Sequence, residues 1–213
     1  DVIKIVIKKI LQIFGWRLVK ISNPPKILSP ENNEVIIDCY RKSKGIIHIG
    51  AHRGTEAPIY AWFNKSVIWI EPNKDIFGEL KLNISNYKNQ KAYNYLLHET
   101  NQKEVKFKIS NNDGASSSIY DFGEHHKNSI LFGKRKFKFT KIIKMETYSF
   151  DNFINKEKIN IREFDLWIID VQGSELPVIK GSQNSLKFCK YLVTEISKKE
   201  FYKGGTKWID LLQ

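Results

Sequence analysis

Two stretches decide the fold: Lys44-Gly-Ile-Ile-His-Ile-Gly-Ala-His-Arg-Gly-Thr-Glu56 and Ser66-Val-Ile-Trp-Ile-Glu-Pro-Asn73. Each is an apolar run that stops abruptly. The first ends in a glycine-rich turn from Gly50 to Gly54, the second at Glu71. Short apolar runs bounded by turn residues predict strands buried on both faces, as in a parallel sheet. A strand, a glycine turn opening a helix, and a second strand tipped by a carboxylate make up the unit with which Rossmann-like folds hold an adenosine. There the acid takes ribose hydroxyls, and the glycines let the backbone come close to the ligand.

Working outward, residues 31–43 read as a helix leading into a first strand at Gly45–Ile49. A helix follows Gly54, carrying Ala57, Tyr60, Ala61 and Phe63. The second strand is Val67–Ile70, and a helix runs from Asp75 to about Ser85. Ala92–Leu97 reads as one third strand. Val105, Phe107 and Ile109 alternate with lysines, and Phe137, Phe139 and Ile142-Ile143 do something similar, which predicts two half-exposed antiparallel strands. Between them lies the polar loop Asn111-Asn-Asp-Gly-Ala-Ser-Ser-Ser118. Thr147–Ile154 reads as a short capped helix. Phe164–Ile169 is a fourth strand ending at Asp170, Glu175 to about Ser185 is helical, and Tyr191–Thr194 is a fifth strand ending at Glu195. In a parallel sheet the carboxyl ends of the strands share one edge. Glu71, Asp170 and Glu195 are therefore expected to converge on one crevice with the Gly50–Gly54 turn.

The chain has 213 residues, 41% of them hydrophobic and 27% charged, which suits one α/β domain with a real core. Its formal net charge of +12 is spread over dispersed lysines, so a solvated surface is the default reading over a basic binding face. No aromatic-basic pattern for single-stranded nucleic acid accompanies it. Cys39 and Cys189 lack disulfide or metal spacing, which fits a reducing compartment. No run of about 20 apolar residues could span a bilayer.

Residues 1–43 form a separate lead-in to a domain at 44–213. In residues 2–14, Ile3, Ile7, Ile10 and Phe14 share one helical face, while Lys4, Lys8 and Gln12 share another. Such a helix caps a core or lies on an anionic membrane surface. Pro24, Pro25 and Pro30 make an extended linker.

The motifs Ile46-Ile-His-Ile-Gly-Ala-His-Arg-Gly54, Ile70-Glu-Pro-Asn73, Glu146-Thr-Tyr-Ser-Phe-Asp151, Leu166-Trp-Ile-Ile-Asp-Val-Gln-Gly-Ser-Glu-Leu176 and Leu192-Val-Thr-Glu-Ile196 occur in this order. Together they resemble the FkbM family of S-adenosylmethionine-dependent methyltransferases, over roughly residues 44–205. The resemblance implies a Rossmann-like class I methyltransferase sheet with helices on both faces. Against that pattern the chain looks truncated after the fifth strand. The resemblance also implies O-methylation of sugar or other small-molecule hydroxyls, with S-adenosylmethionine as cofactor. The expected cofactor-binding set is His48, Gly50, Ala51, Gly54, Glu71, Asn73 and Asp170. Two departures bear on it: His48 stands where the family often has an acid, and Gln172 where a Glu is common.

Methyl transfer to an alcohol calls for a base to take the hydroxyl proton. Asp170 is the first candidate and Glu195 the second. No metal is expected: His48 with His52, and His125-His126, lack a fixed third ligand. The expected partners are a small-molecule or glycan acceptor, with nucleic acid disfavoured and membrane contact through residues 2–14 left open. A cytoplasmic location is expected, with membrane-peripheral contact left open. The rival reading is a non-catalytic membrane-associated adaptor that keeps the fold.

Overall fold

The structure is a computed structural model that describes residues 30–124, 137–195 and 200–211. The sequence expectations for residues 2–14, the proline linker before Pro30 and His125-His126 lie outside the described residues. The chain divides into two units, Asp1–Asp38 and Cys39–Gln213. Helix α1 spans Pro30–Lys42.

A five-stranded parallel sheet organises the second unit. Its strands are β1 (Gly45–Ile49), β2 (Ser66–Ile70), β3 (Gln90–Tyr93), β7 (Leu166–Ile169) and β8 (Tyr191–Thr194), in the order β3-β2-β1-β7-β8. All five residues of β1 are buried, because it is the middle strand and both its faces are covered. Alternation along the strands divides the core in two. Ile47, Ile49, Ile68, Ile70, Trp167 and Ile169 pack with Phe150 and Phe153 in one cluster. Ile46, His48, Val67 and Trp69 alternate with them and point to the other face, where Trp69 stacks on Tyr60 of α2 (Ala57–Trp62). The enclosed indoles still find acceptors: Trp69 Nε1 donates to Gln90 Oε1 and Trp167 Nε1 to the Phe164 carbonyl, both at 3.0 Å.

Helix α3 (Lys74–Asn83) starts at Asn73, whose side chain accepts from the Asp75 N–H. A small second sheet joins β4 (Leu96–Leu97), β6 (Phe139–Tyr148) and β5 (Glu104–Ser110). β5 and β6 run antiparallel, as their alternating lysines predict.

Several boundaries differ from the sequence reading. Ala92–Leu97 is not one strand: β3 pairs with β2, while β4 pairs with β6 in the other sheet. Asn94 makes the break, its Nδ2 donating to the carbonyls of Glu71 and Pro72 at 2.7 and 2.8 Å. Thr147 and Tyr148 end β6, and Ser149 caps α4 (Phe150–Lys156) through the Asn152 N–H. Phe164 follows a 3-10 turn at Ile161–Glu163 rather than opening β7. Helix α5 spans only Glu175–Lys180; Gly181 at its end passes the His98 carbonyl so closely that a Cβ would sit 2.4 Å from it. Among the described residues, no helix is long and apolar enough to cross a membrane.

Candidate functional site

A cavity of about 240 Å³ opens at the carboxyl edge of β1, β2 and β7. Its floor is the turn after β1. Gly50 and Ala51 both donate their N–H to the Ile70 carbonyl, at 2.9 and 3.0 Å, and Asp170 N donates to the Ile49 carbonyl at 2.9 Å. Three strand ends are thereby fastened to one another. Gly50 has φ +84°, and a Cβ there would lie 1.8 Å from the Asp170 carbonyl oxygen. Only glycine fits, and the close approach it permits is to the neighbouring strand. Gly54 turns toward α3. It is not in the cavity wall, and a Cβ on it would meet Leu80 of α3 at 2.5 Å. Its small size serves packing.

Glu71 is buried in the wall. Its Oε2 accepts the His52 N–H at 2.9 Å and its Oε1 the Asn73 N–H at 2.8 Å. Asn73 thus contributes its backbone to the acid and its side chain to the helix, and is not itself in the wall. Each carboxylate oxygen retains a lone pair for a ligand. Burial pushes the Glu71 carboxyl up to about 7, against the pull of those two N–H groups, with a smaller push from Asp170.

Asp170 lines the same cavity and is pushed up to about 6, first by burial and then by the charge of Glu195. Gln172 stands between these two acids in the left-handed region, φ +54°. Its Nε2 donates to Asp170 Oδ1 at 2.5 Å and reaches Glu195 Oε2 at 3.5 Å, while its Oε1 accepts from the Tyr202 hydroxyl at 2.6 Å. Glu195 is exposed and lines an adjoining cavity with Glu175 and Tyr202, not the one holding Glu71. The expected convergence of three acids therefore holds for Glu71 and Asp170, while Glu195 lies beyond Gln172.

His48 is buried in the wall, stacked on Trp69 with ring centroids 5.1 Å apart. Its Nδ1 lies 3.1 Å from the Tyr60 hydroxyl, and burial lowers its pKa, keeping the ring neutral. The loop 111–118 supplies another side of the wall through Gly114, Ala115 and Ser117. Ser118 ties it to β5 by two backbone bonds with Lys108, and His52 Nε2 lies 3.0 Å from the Asp113 carbonyl oxygen. Among the described residues no three His, Cys, Asp or Glu side chains are grouped to hold a metal ion.

Sequence reasoning passed over Glu56, Glu175 and Tyr202. Glu56 lies in the main wall, two residues beyond a turn already singled out. Glu175 is buried and accepts the Gly173 N–H at 3.0 Å, which fixes the turn after β7. Tyr202 reaches the site from a distant, featureless segment, and nothing local marks it.

A parallel sheet whose members run third, second, first, fourth, fifth along the chain is the Rossmann-like order. With the glycine turn and the strand-tip acid it defines a class I methyltransferase fold. The profile of the methyltransferase FkbM domain matches residues 48–213, and the chain belongs to that family. Among solved structures, a Pyrococcus horikoshii protein provisionally named an RNA methyltransferase is similar at 23% identity and a TM-score of 0.26. That match covers 41% of this chain and spans half (50%) of the solved chain's length. Among proteins of curated function, none matches.

Proposed function

We propose that the protein transfers a methyl group from S-adenosylmethionine to a hydroxyl of a sugar, glycan or similar small molecule. The observation that carries this reading is Glu71, a cavity carboxylate already oriented by two backbone N–H groups and able to accept two ribose hydroxyls. His48, Gly50 and Ala51 line the cavity beside it, as a nucleoside with an amino-acid arm requires. When bound, the cofactor supplies an electrophilic methyl group on a positively charged sulfur. Asp170 accepts the proton of the attacking hydroxyl as the new O–C bond forms and the C–S bond breaks. A carboxyl near 6 is largely ionised at neutral pH and so can act as this base. Glu195 lies across Gln172 from Asp170 and is the second candidate.

The test is calorimetry with S-adenosylmethionine and S-adenosylhomocysteine, followed by labelled methyl transfer to a panel of glycans and lipid-linked sugars. Binding of both compounds and transfer to a hydroxylated acceptor are expected. Failure of both compounds to bind the folded protein overturns the reading.

A further inference from the structure

Asp170 sits among like charges. Among the described residues, the charged groups that face it are acids: Glu195 at the end of β8, Glu175 at the start of α5, Glu56 at the start of α2 and Glu71 after β2. Burial and like charges both favour the protonated form, and a protonated carboxyl takes no second proton. The contact that opposes them is the Gln172 amide, whose Nε2 donates to Asp170 Oδ1 at 2.5 Å and reaches Glu195 Oε2 at 3.5 Å. One neutral N–H₂ group thus stands between two acids and faces both.

A glutamine amide has two ends. Turned over, it would aim its carbonyl oxygen at Asp170, and a donor would become a repelling dipole. Tyr202 opposes that turn. Its hydroxyl donates to Gln172 Oε1 at 2.6 Å, with the Ser116 carbonyl oxygen farther off at 3.3 Å. Burial pushes the Tyr202 phenol up, so it stays a donor throughout the neutral range. The ring is itself held: it lies so close on Gly173 that a Cβ there would be 3.1 Å from the Tyr202 side chain. The backbone of Gln172 adds a separate sign. It sits at φ +54°, a conformation that glycine and asparagine adopt more readily, and its carbonyl accepts from Ser118 Oγ at 2.7 Å. A glutamine kept in this conformation by bonds on either side points to a use for its side chain.

We propose that Gln172 and Tyr202 are positioning residues for Asp170, the tyrosine fixing the glutamine amide so that it turns its N–H₂ to the base. This rests on the role of Asp170 as the base in the reading above. Oδ1 is engaged by the amide, and Oδ2 is left for the acceptor hydroxyl. The donated N–H also favours the charged carboxylate among its acidic neighbours.

The test is the titration of Asp170, followed by carbon-13 NMR of the side-chain carboxyls in the full chain; its signal is the one that Asp170→Asn removes. Gln172→Met is expected to raise the midpoint by about one pH unit, and Tyr202→Phe by part of that. The double variant is expected to match Gln172→Met, because the tyrosine acts through the amide. Gln172→Gly deletes the amide at a φ that glycine accepts, and is expected to give the same rise should the methionine variant not fold. An unmoved midpoint in a folded Gln172 variant, or a Tyr202→Phe rise that persists in full without the amide, overturns the inference. The titration needs neither donor nor acceptor, so those outcomes leave the donor reading intact. If the midpoints move as expected but the acid limb of methyl transfer to an acceptor from the panel above stays at its wild-type pH in Tyr202→Phe, Asp170 is not the base, and the inference falls with that assignment.

Discussion

Glu71 makes binding a proton-linked event. Its carboxyl lies near 7 because burial outweighs the two N–H groups that favour its charge. Ribose hydroxyls donate to the charged form, so a bound nucleoside pulls the carboxyl down and binding releases a proton. If only the ionised form binds, its fraction rises from about a tenth to about nine tenths between about pH 6 and about pH 8. Affinity for S-adenosylhomocysteine should then tighten about tenfold over that range, with about half a proton released near neutrality. Using the demethylated product keeps sulfonium charge out of the measurement. The assay is calorimetry across pH, repeated near neutrality in two buffers of different ionisation enthalpy. Glu71→Gln removes the titrating group, so its profile should be flat. It also turns an amide N–H₂ toward one of the two backbone donors, at a cost of about 1–3 kcal/mol in stability, so its fold must be checked by thermal melting. Asp170, near 6, titrates in the lower part of the range, and Asp170→Asn separates its contribution. A flat wild-type profile, or one that Glu71→Gln leaves unchanged, refutes this account. The same group acts on stability with a definite sign. The folded state binds the extra proton, so this contribution falls as pH rises from the ordinary carboxylate range through about 7.

Two further outcomes are accessible. Gly50→Ala places a Cβ 1.8 Å from the Asp170 carbonyl oxygen at a positive φ, so β1 and β7 must separate. A loss of at least about 2 kcal/mol in urea unfolding is expected, with weaker nucleoside binding; wild-type stability would contradict the packing described. The loop 113–118 should become more resistant to limited proteolysis when S-adenosylhomocysteine is bound, since Gly114, Ala115 and Ser117 face the cavity. Unchanged cleavage with binding established would make it an ordinary surface loop.

The strands were legible because a parallel sheet leaves a plain trace: apolar runs, each stopped by a turn or an acid. β1 and β8 match their sequence boundaries, and Glu71 and Asp170 share a cavity as read. Features that depend on a partner distant in sequence were not legible. The break at Asn94 needs the carbonyls of Glu71 and Pro72. The role of Gly54 needs Leu80, and the separation of Glu195 from the main cavity needs Gln172 and Tyr202. Glu56 was missed for a different reason: it stands at the N-cap position of α2, where an acid is ordinary in sequence.

The middle of the sheet is also a seam in time. β1 pairs with β2 soon after it in the chain, but its other neighbour is β7, with Ile46 set against Leu166 and the whole intervening chain looped out. Pairing across so long a loop is entropically slow. Glu71 stands on one bank of that seam and Asp170 on the other, joined where Asp170 N meets the Ile49 carbonyl. The cavity exists only once the banks have met. Ligand binding during refolding should therefore report closure of the sheet. Any molecule that fills the cavity acts as a clasp, holding together two halves that the chain itself connects only at a distance.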